Sequence, residues 1–346
     1  LMLGGTSIIK LENNISIGVN YVNSFEVQSS SLDTATYYNP VTNLQLKYKK
    51  RAGGLKYFLS IDFGGSSRGW NKNNGGADFE TSGGFLRGKA KVVARNFNST
   101  LGFKYISPEF RSAGAQTRRV NFMSVPSSYA YYTNNTILRP VSMMDIITDP
   151  NIYNHRLSTS LMQYNILYSA VLPYGEATPN RVGGDMVFNY KNNNSSLLAS
   201  ADIAYFQEII GQGTTQRRSL VSSGLSLKAN IDKLIGFDNK TQLELSIISE
   251  GVTSGGDEIE SISFNSSLLS AGLSYELFEN LKIIGGTKSF TGSGNEVGVQ
   301  RDEYDQIIGF ELLDFNSKEN IMLIGLQYNF TTVSYTHLTL PTNHPV

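Results

Sequence analysis

The 346-residue chain contains no cysteine, which excludes a disulfide framework and metal sites built from thiolates. Charged residues make up only 17% of the sequence, below the roughly 25% of an ordinary soluble domain. The 29 basic and 29 acidic residues cancel, so no net positive field favours nucleic acid as a partner. No apolar run reaches the length of about 18 residues that a transmembrane helix needs.

The two ends of the sequence lack the features of natural termini. The opening LMLGGTSIIK is strand-like and has no signal-peptide order of basic, apolar and small residues, so we expect an N-terminal truncation. Residues 331–346 break the pattern that precedes them and hold two of the three histidines. Their VSYTHLTLPT run resembles translated sequencing-adapter read-through. We therefore expect a non-native or disordered tail after a folded region of residues 1–330.

Within residues 1–330, apolar and polar side chains alternate with a period of two. Residues 55–63 show the pattern, because Leu55, Tyr57 and Leu59 oppose Lys56 and Ser60. Such alternation is typical of strands with one apolar and one polar face. It recurs in about 13 segments of the chain, more than a helical protein would produce.

The connections between these segments alternate in length. Short joins fall at residues 11–14, 49–54, 96–99, 191–195, 231–240 and 278–280. Longer ones lie between them, at residues 28–40, 64–84, 106–183, 207–216, 250–261 and 291–320. Outer-membrane barrels have such short periplasmic turns and long extracellular loops, whereas a β-sandwich has no reason to keep that order. Counting strands of alternating direction back from residue 330 gives about 13 in this sequence. Because bacterial barrels have an even number of strands, we expect about 14 in the intact barrel.

These patterns predict an all-β fold, an antiparallel up-and-down transmembrane β-barrel. In lipid the outward face must be apolar, and aromatic side chains gather near the interfaces. Tyrosine and phenylalanine do lie near many segment ends, for example Tyr48, Phe63 and Tyr105. Periodicity alone also fits a soluble barrel with its apolar face inside. Segment length, loop asymmetry and the last segment favour the membrane.

The last segment, IMLIGLQYNF at residues 321–330, resembles the C-terminal sorting signal of bacterial outer-membrane barrels. An apolar residue, a glycine, an aromatic residue and a terminal phenylalanine stand at the spacing of that signal. The matching residues, which the resemblance implies are read by the barrel-assembly machinery, are Leu323, Gly325, Tyr328 and Phe330.

Several stretches together resemble outer-membrane barrel proteins of Bacteroidetes-type bacteria. They are LPYGEATPNR, SAGAQTRR and the end of the chain from LFENLKIIGGTK to residue 330. The resemblance implies an outer-membrane location and a barrel fold, but no substrate.

Residues 106–183 form the one segment that is neither a strand pair nor a turn, and loops of this length are usually functional or disordered. Because it falls among the long connections, which we assign to the extracellular rim, we expect the segment to lie outside the cell or to fold into the lumen. One interpretation is a cluster of arginines that lines an anion-selecting constriction. The other is ordinary salt bridging, or contact with anionic lipopolysaccharide. The arginines concerned are Arg111, Arg118, Arg119, Arg139, Arg156 and Arg181.

No residue pattern indicates catalysis, a cofactor or a bound metal. His155 has Asn154 and Ser158 nearby in sequence, but no nucleophile motif surrounds it. The paired glycines lack the strand–loop–helix setting of a phosphate cradle. Asp257, Glu258 and Glu260 fit a solvated acidic loop.

We therefore expect a porin-like or channel barrel of the bacterial outer membrane that passes or binds small solutes. Lumen-facing polar residues, with Lys56, Asp62, Lys104 and Lys191 as examples, would set its selectivity. The expected partners are outer-membrane lipid, lipopolysaccharide and the assembly machinery. The alternatives are a non-transporting adhesin or secretion-complex barrel, a transporter of hydrophobic compounds, and a soluble secreted β-protein.

Overall fold

The protein is seen in a computed structural model that describes residues 2–11, 14–25, 35–72, 79–112, 175–211, 215–257, 260–304, 306–329 and 335–339. Almost all of its regular structure is strand. The strands are β1 (Met2–Lys10), β2 (Ile15–Phe25), β3 (Ala35–Ala52), β4 (Leu55–Lys72), β5 (Phe79–Val93), β6 (Phe97–Ile106), β7 (Arg181–Lys191), β8 (Leu197–Gln207), β9 (Ser219–Asn230), β10 (Thr241–Thr253), β11 (Ser263–Phe278), β12 (Leu281–Arg301), β13 (Ile307–Asn329) and β14 (Tyr335–Thr339). A five-residue helix, α1 (Ile231–Ile235), joins β9 to β10.

The strands form one 14-stranded sheet in sequence order, and the neighbouring strands from β1 to β6 and from β10 to β14 pair antiparallel. This confirms the predicted all-β, antiparallel, up-and-down order. Among the described strands, no pairing joins β1 to β14, so the sheet is open. Strands β1 to β13 precede residue 330, in agreement with the strand count from the sequence. Five residues of the expected tail form β14, which pairs with β13.

The chain divides into two compact units. The first comprises Leu1–Val120, Leu172–Val187 and Ala204–Ser219. The second comprises Asn121–Val171, Phe188–Ile203 and Leu220–Val346.

Two segments that the sequence predicts to be long loops are largely strand. Residues 64–84 extend β4 and β5, and residues 291–320 extend β12 and β13 to 21 and 23 residues. The prediction was wrong there because it depended on apolar alternation. In residues 64–84 and in the β12 extension the ladder continues through sequences rich in glycine, serine and asparagine, where little apolar alternation marks the strand. The β13 extension does carry alternating apolar residues, Ile308, Phe310 and Leu312, which the prediction missed.

The strands expose the face that carries their large apolar side chains more than the other face, which is the reverse of a soluble protein. In β6, Leu101, Phe103 and Tyr105 are exposed, whereas Lys104 and Ile106, which alternate with them, are buried. In β13, Met322 and Ile324 are 66% and 74% exposed, whereas Leu323 between them is 7% exposed. We call the face with the exposed apolar side chains the apolar face of each strand, and the opposite face the polar face. In β6 the exposed side chains are therefore all large and apolar or aromatic: Phe97, Leu101, Phe103 and Tyr105.

Among the residues that the structure describes, no helix is long and apolar enough to cross a membrane.

Candidate functional site

The polar face of β3 to β6, in the first unit, carries an excess of basic residues. Directly paired residues of antiparallel strands point to the same face, so the register identifies its members. Of the side chains that the structure describes on this face, Asp62 is the only acidic one. Its basic side chains are Lys47, Lys49, Arg51, Lys56, Arg68, Arg87, Lys89, Lys91 and Lys104. We call this set the basic face.

Across β4, β5 and β6, strand register places an acidic side chain and two basic side chains next to one another on the basic face. Asp62 of β4 pairs with Arg87 of β5, and Arg87 pairs with Lys104 of β6. Lys89 lies one step further along β5, opposite Gly102. Three cations thus lie close together on two neighbouring strands.

Glu176, which precedes β7, places its carboxylate between two of these cations. Its Oε2 lies 3.1 Å from Nη2 of Arg87 and 3.0 Å from Nζ of Lys104. The Lys104 side chain is 3% exposed, whereas that of Glu176 is 44% exposed. Burial alone would raise the pKa of Glu176, but the charges of Lys104 and Arg87 outweigh it and lower the pKa below its ordinary value. The carboxylate is therefore held in its ionised form.

Lys104 has two further neighbours that stabilise its buried charge. Asp185 Oδ1 of β7 lies 3.5 Å from its Nζ, and the ring centroid of Phe206 lies 5.3 Å from the same atom. Gly102 makes room for Asp185, because a Cβ at that position would lie 2.6 Å from Asp185 Oδ1. A side chain at position 102 would therefore displace the Asp185 carboxylate from its place beside Lys104.

The segment that carries Glu176, residues 175–180, is held by contacts of Ala177 and Asn180. Ala177 packs with Ile106 and Phe110 in a small apolar cluster. Asn180, which is buried, accepts hydrogen bonds from the backbone N–H groups of Ile209 and Ile210 and donates Nδ2–H to the Ile210 carbonyl. We call residues 175–180 the strap.

Residues 107–112, which follow β6, cross the end of the basic face close to Gly83. The Arg111 N–H donates to Ser66 Oγ at 2.9 Å, and the Phe110 ring meets the Phe85 ring edge-on at a centroid distance of 5.0 Å. A Cβ on Gly83 would lie 2.3 Å from the Phe110 backbone nitrogen. Only glycine at position 83 permits this crossing.

A buried ionic triad adjoins the strap. Glu208 is paired with Arg181 at 3.5 Å and with Arg218 Nε at 3.0 Å, and its Oε2 also accepts the Arg218 backbone N–H. All three side chains are buried. A buried carboxylate between two guanidinium groups is costly to disturb, because either guanidinium would lose its counter-charge.

The second unit has a different polar surface. A cavity of about 820 Å³ lies against β9 to β13 and is lined by serine and glycine, by leucine and isoleucine, and by a few charged side chains. Lys228 and Glu244 are paired at its wall, and both are exposed. A second ion pair joins Lys240, which precedes β10, to Glu276 of β11.

Two of the arginines expected in an anion-selecting cluster are described, and they have different partners. Arg111 donates from Nη1 to the carbonyls of Pro108 and Phe110. Arg181 pairs with Glu208 in the buried triad. Arg118, Arg119, Arg139 and Arg156 lie outside the described residues.

The expected assembly signal is partly described. Leu323 is buried on the polar face of β13 with Gly325 beside it on the same face, and Tyr328 is exposed on the apolar face. Phe330 lies outside the described residues.

Lys56, Asp62, Lys104 and Lys191 were predicted from the sequence to face the lumen, but Arg87, Lys89 and the acidic residues around them were not. The sequence did contain a signal of the basic face, because basic residues stand at every second position in residues 87–91 and in residues 47–51. Glu176 gave no such signal, because its partners belong to strands far away in sequence.

Within the described part of the chain, no group of three or more acidic, histidine or cysteine side chains is arranged to hold a metal ion. No protein-family model matches the chain, and no curated protein matches it in sequence.

Proposed function

We propose that the chain is a porin-like β-barrel of the bacterial outer membrane that passes small solutes. The observation that carries the proposal is the alternation in β6, where apolar side chains are exposed and Lys104 between them is buried. Soluble monomers rarely expose contiguous apolar patches of more than a few hundred Å². An apolar face repeated over many strands is suited to lipid.

Closure of the sheet is part of the proposal. In lipid every backbone polar group must be paired, so a sheet can span a membrane only as a closed barrel. A tilted strand of about 9–11 residues crosses the bilayer. The 21 and 23 residues of β12 and β13 are therefore enough to cross it and to extend well beyond one surface.

The polar faces would then line the lumen. Basic, serine and glycine side chains on these faces suit a water-filled passage. Lipid and lipopolysaccharide would contact the apolar face, and the assembly machinery would read Leu323, Gly325, Tyr328 and Phe330 at the end of β13.

Planar lipid bilayers test the proposal. Refolded protein added to one side should produce stepwise increases in conductance, each corresponding to one inserted molecule. Heat-unfolded protein in the same detergent is the control. Insertion without conductance would contradict passage of solutes and favour a non-transporting barrel, such as an adhesin or part of a secretion complex.

A further inference from the structure

We infer that the passage prefers anions, and that Arg87, Lys89 and Lys104 form its anion-binding point for small solutes that carry a carboxylate or phosphate group. The inference rests on the proposed function and gives it a substrate class. It is carried by the basic face of the first unit.

The charge on that face is strongly unbalanced although the whole chain is neutral. Nine described basic side chains of β3 to β6 share the face with Asp62. Glu176 and Asp185 add two carboxylates beside it. The cations therefore outnumber the anions, and arginine and lysine side chains lining a pore favour anions. In a narrow passage with low-dielectric walls this field would be focused on the solute.

The strap shows which chemistry the cations accept. The Glu176 carboxylate lies within ion-pair distance of both Arg87 and Lys104. Guanidinium groups match the geometry of carboxylate and phosphate, and ammonium groups bind both as point charges. Glu176 thus occupies the position that we assign to the anionic group of a solute.

Lys89 supplies a cation beyond those that Glu176 engages. It lies within electrostatic range of Arg87, Lys104, Glu176 and Asp185. Among the described residues it makes no ion pair. A solute anion can therefore approach Lys89 while Glu176 stays in place, and can then compete with Glu176 for the other two cations.

The second unit does not offer the same chemistry. Its cavity is lined by Lys228, whose charge is satisfied by Glu244, and by one further cation, Lys288. The preference for anions is accordingly assigned to the basic face alone.

The first experiment measures the reversal potential in planar bilayers across a potassium chloride gradient at low ionic strength, where screening is weak. The wild-type protein should show a potential of the sign given by chloride permeation. Lys49→Glu should shift this potential toward zero, because Lys49 lies on the basic face. Lys50→Glu is the matched control, since Lys50 pairs with Tyr57 on the apolar face and should leave the potential unchanged.

The second experiment measures binding of inorganic phosphate to detergent-solubilised protein by titration calorimetry. Wild-type protein should bind phosphate, Glu176→Gln should bind it severalfold more tightly, and Lys89→Gln more weakly. Circular dichroism establishes that each variant is folded. Equal affinity in all three proteins would overturn the assignment of the site.

The two readouts separate the failure of the inference from the failure of the proposed function. Conductance with cation preference, or with none, overturns the inference and leaves a passage for solutes. A silent bilayer with phosphate bound at Lys89 overturns the passage and supports the anion site. Silence without phosphate binding overturns both.

Discussion

The carboxylate of Glu176 lies 3.0 Å from Nζ of Lys104, although the two residues are 72 positions apart in the sequence. This pair anchors the strap to the basic face. It joins a half-exposed carboxylate to a cation that is almost completely buried.

Acidification should release the strap. The folded-state pKa of Glu176 is lowered below its ordinary value of 4.5, so its contribution to stability is present above that pH and is lost as the pH falls through the folded-state pKa. Because the chain has no cysteine of its own, a nitroxide label can be attached at Pro179→Cys alone. This label should become more mobile as the pH falls below 4.5.

The same label in a Glu176→Gln background is the control for this transition. Its mobility should be high at neutral pH and should change little on acidification, because the titrating carboxylate is absent. An identical transition in both proteins would show that another group controls the strap.

Glu208→Gln should lower the free energy of unfolding by about 3–5 kcal/mol, because Arg181 and Arg218 would remain buried without their shared counter-charge. The measurement is the urea midpoint in detergent, followed by circular dichroism. Glu244→Gln, which breaks an exposed pair with Lys228, should cost at most about 1 kcal/mol. Similar losses in the two variants would contradict the special position of the triad.

Asn180 combines side-chain hydrogen bonds with a left-handed backbone, φ 58°, and two substitutions separate these contributions. Asn180→Gly keeps the backbone freedom and loses the three bonds, and it should destabilise the protein by about 1–3 kcal/mol. Asn180→Ala should cost about 1–2 kcal/mol more, because alanine is strained at positive φ. Equal midpoints for the two variants in urea would show that the backbone conformation carries no cost.

Gly83→Ala should displace residues 107–112, because its Cβ would overlap the backbone of Phe110. A destabilisation of about 1–3 kcal/mol is typical of overpacking. Gly84→Ala is the matched control, since its Cβ would come no nearer than 3.4 Å to its closest neighbour, the Gly64 carbonyl oxygen. Hydrogen exchange at the Ser107 and Phe110 amides should be faster in Gly83→Ala alone. Unchanged exchange there would contradict the role of Gly83.

The strand order could be predicted from the sequence because each strand has one apolar and one polar face. Leu59 and Ser60 differ in character for that reason, and the period of two follows from it. The extension of β12 could not be predicted, since backbone pairing leaves little side-chain pattern in its glycine- and serine-rich sequence. The extension of β13 does carry a pattern, the alternating Ile308, Phe310 and Leu312, which the prediction missed. The contact between Glu176 and Lys104 depends on strand register and on where the segment before β7 meets β6, neither of which a single sequence encodes locally.

The central claim is that the apolar faces lie in lipid and the polar faces in water. Because the chain has no cysteine, single nitroxide labels can be placed at Leu59→Cys and Ser60→Cys in the first unit, and at Leu273→Cys and Ser274→Cys in the second. The measurement is the accessibility of each label in lipid vesicles to molecular oxygen, which partitions into lipid, and to a water-soluble nickel chelate. The account predicts that oxygen reaches the labels at Leu59 and Leu273 while the chelate reaches those at Ser60 and Ser274. Equal access of the chelate to all four positions would contradict it.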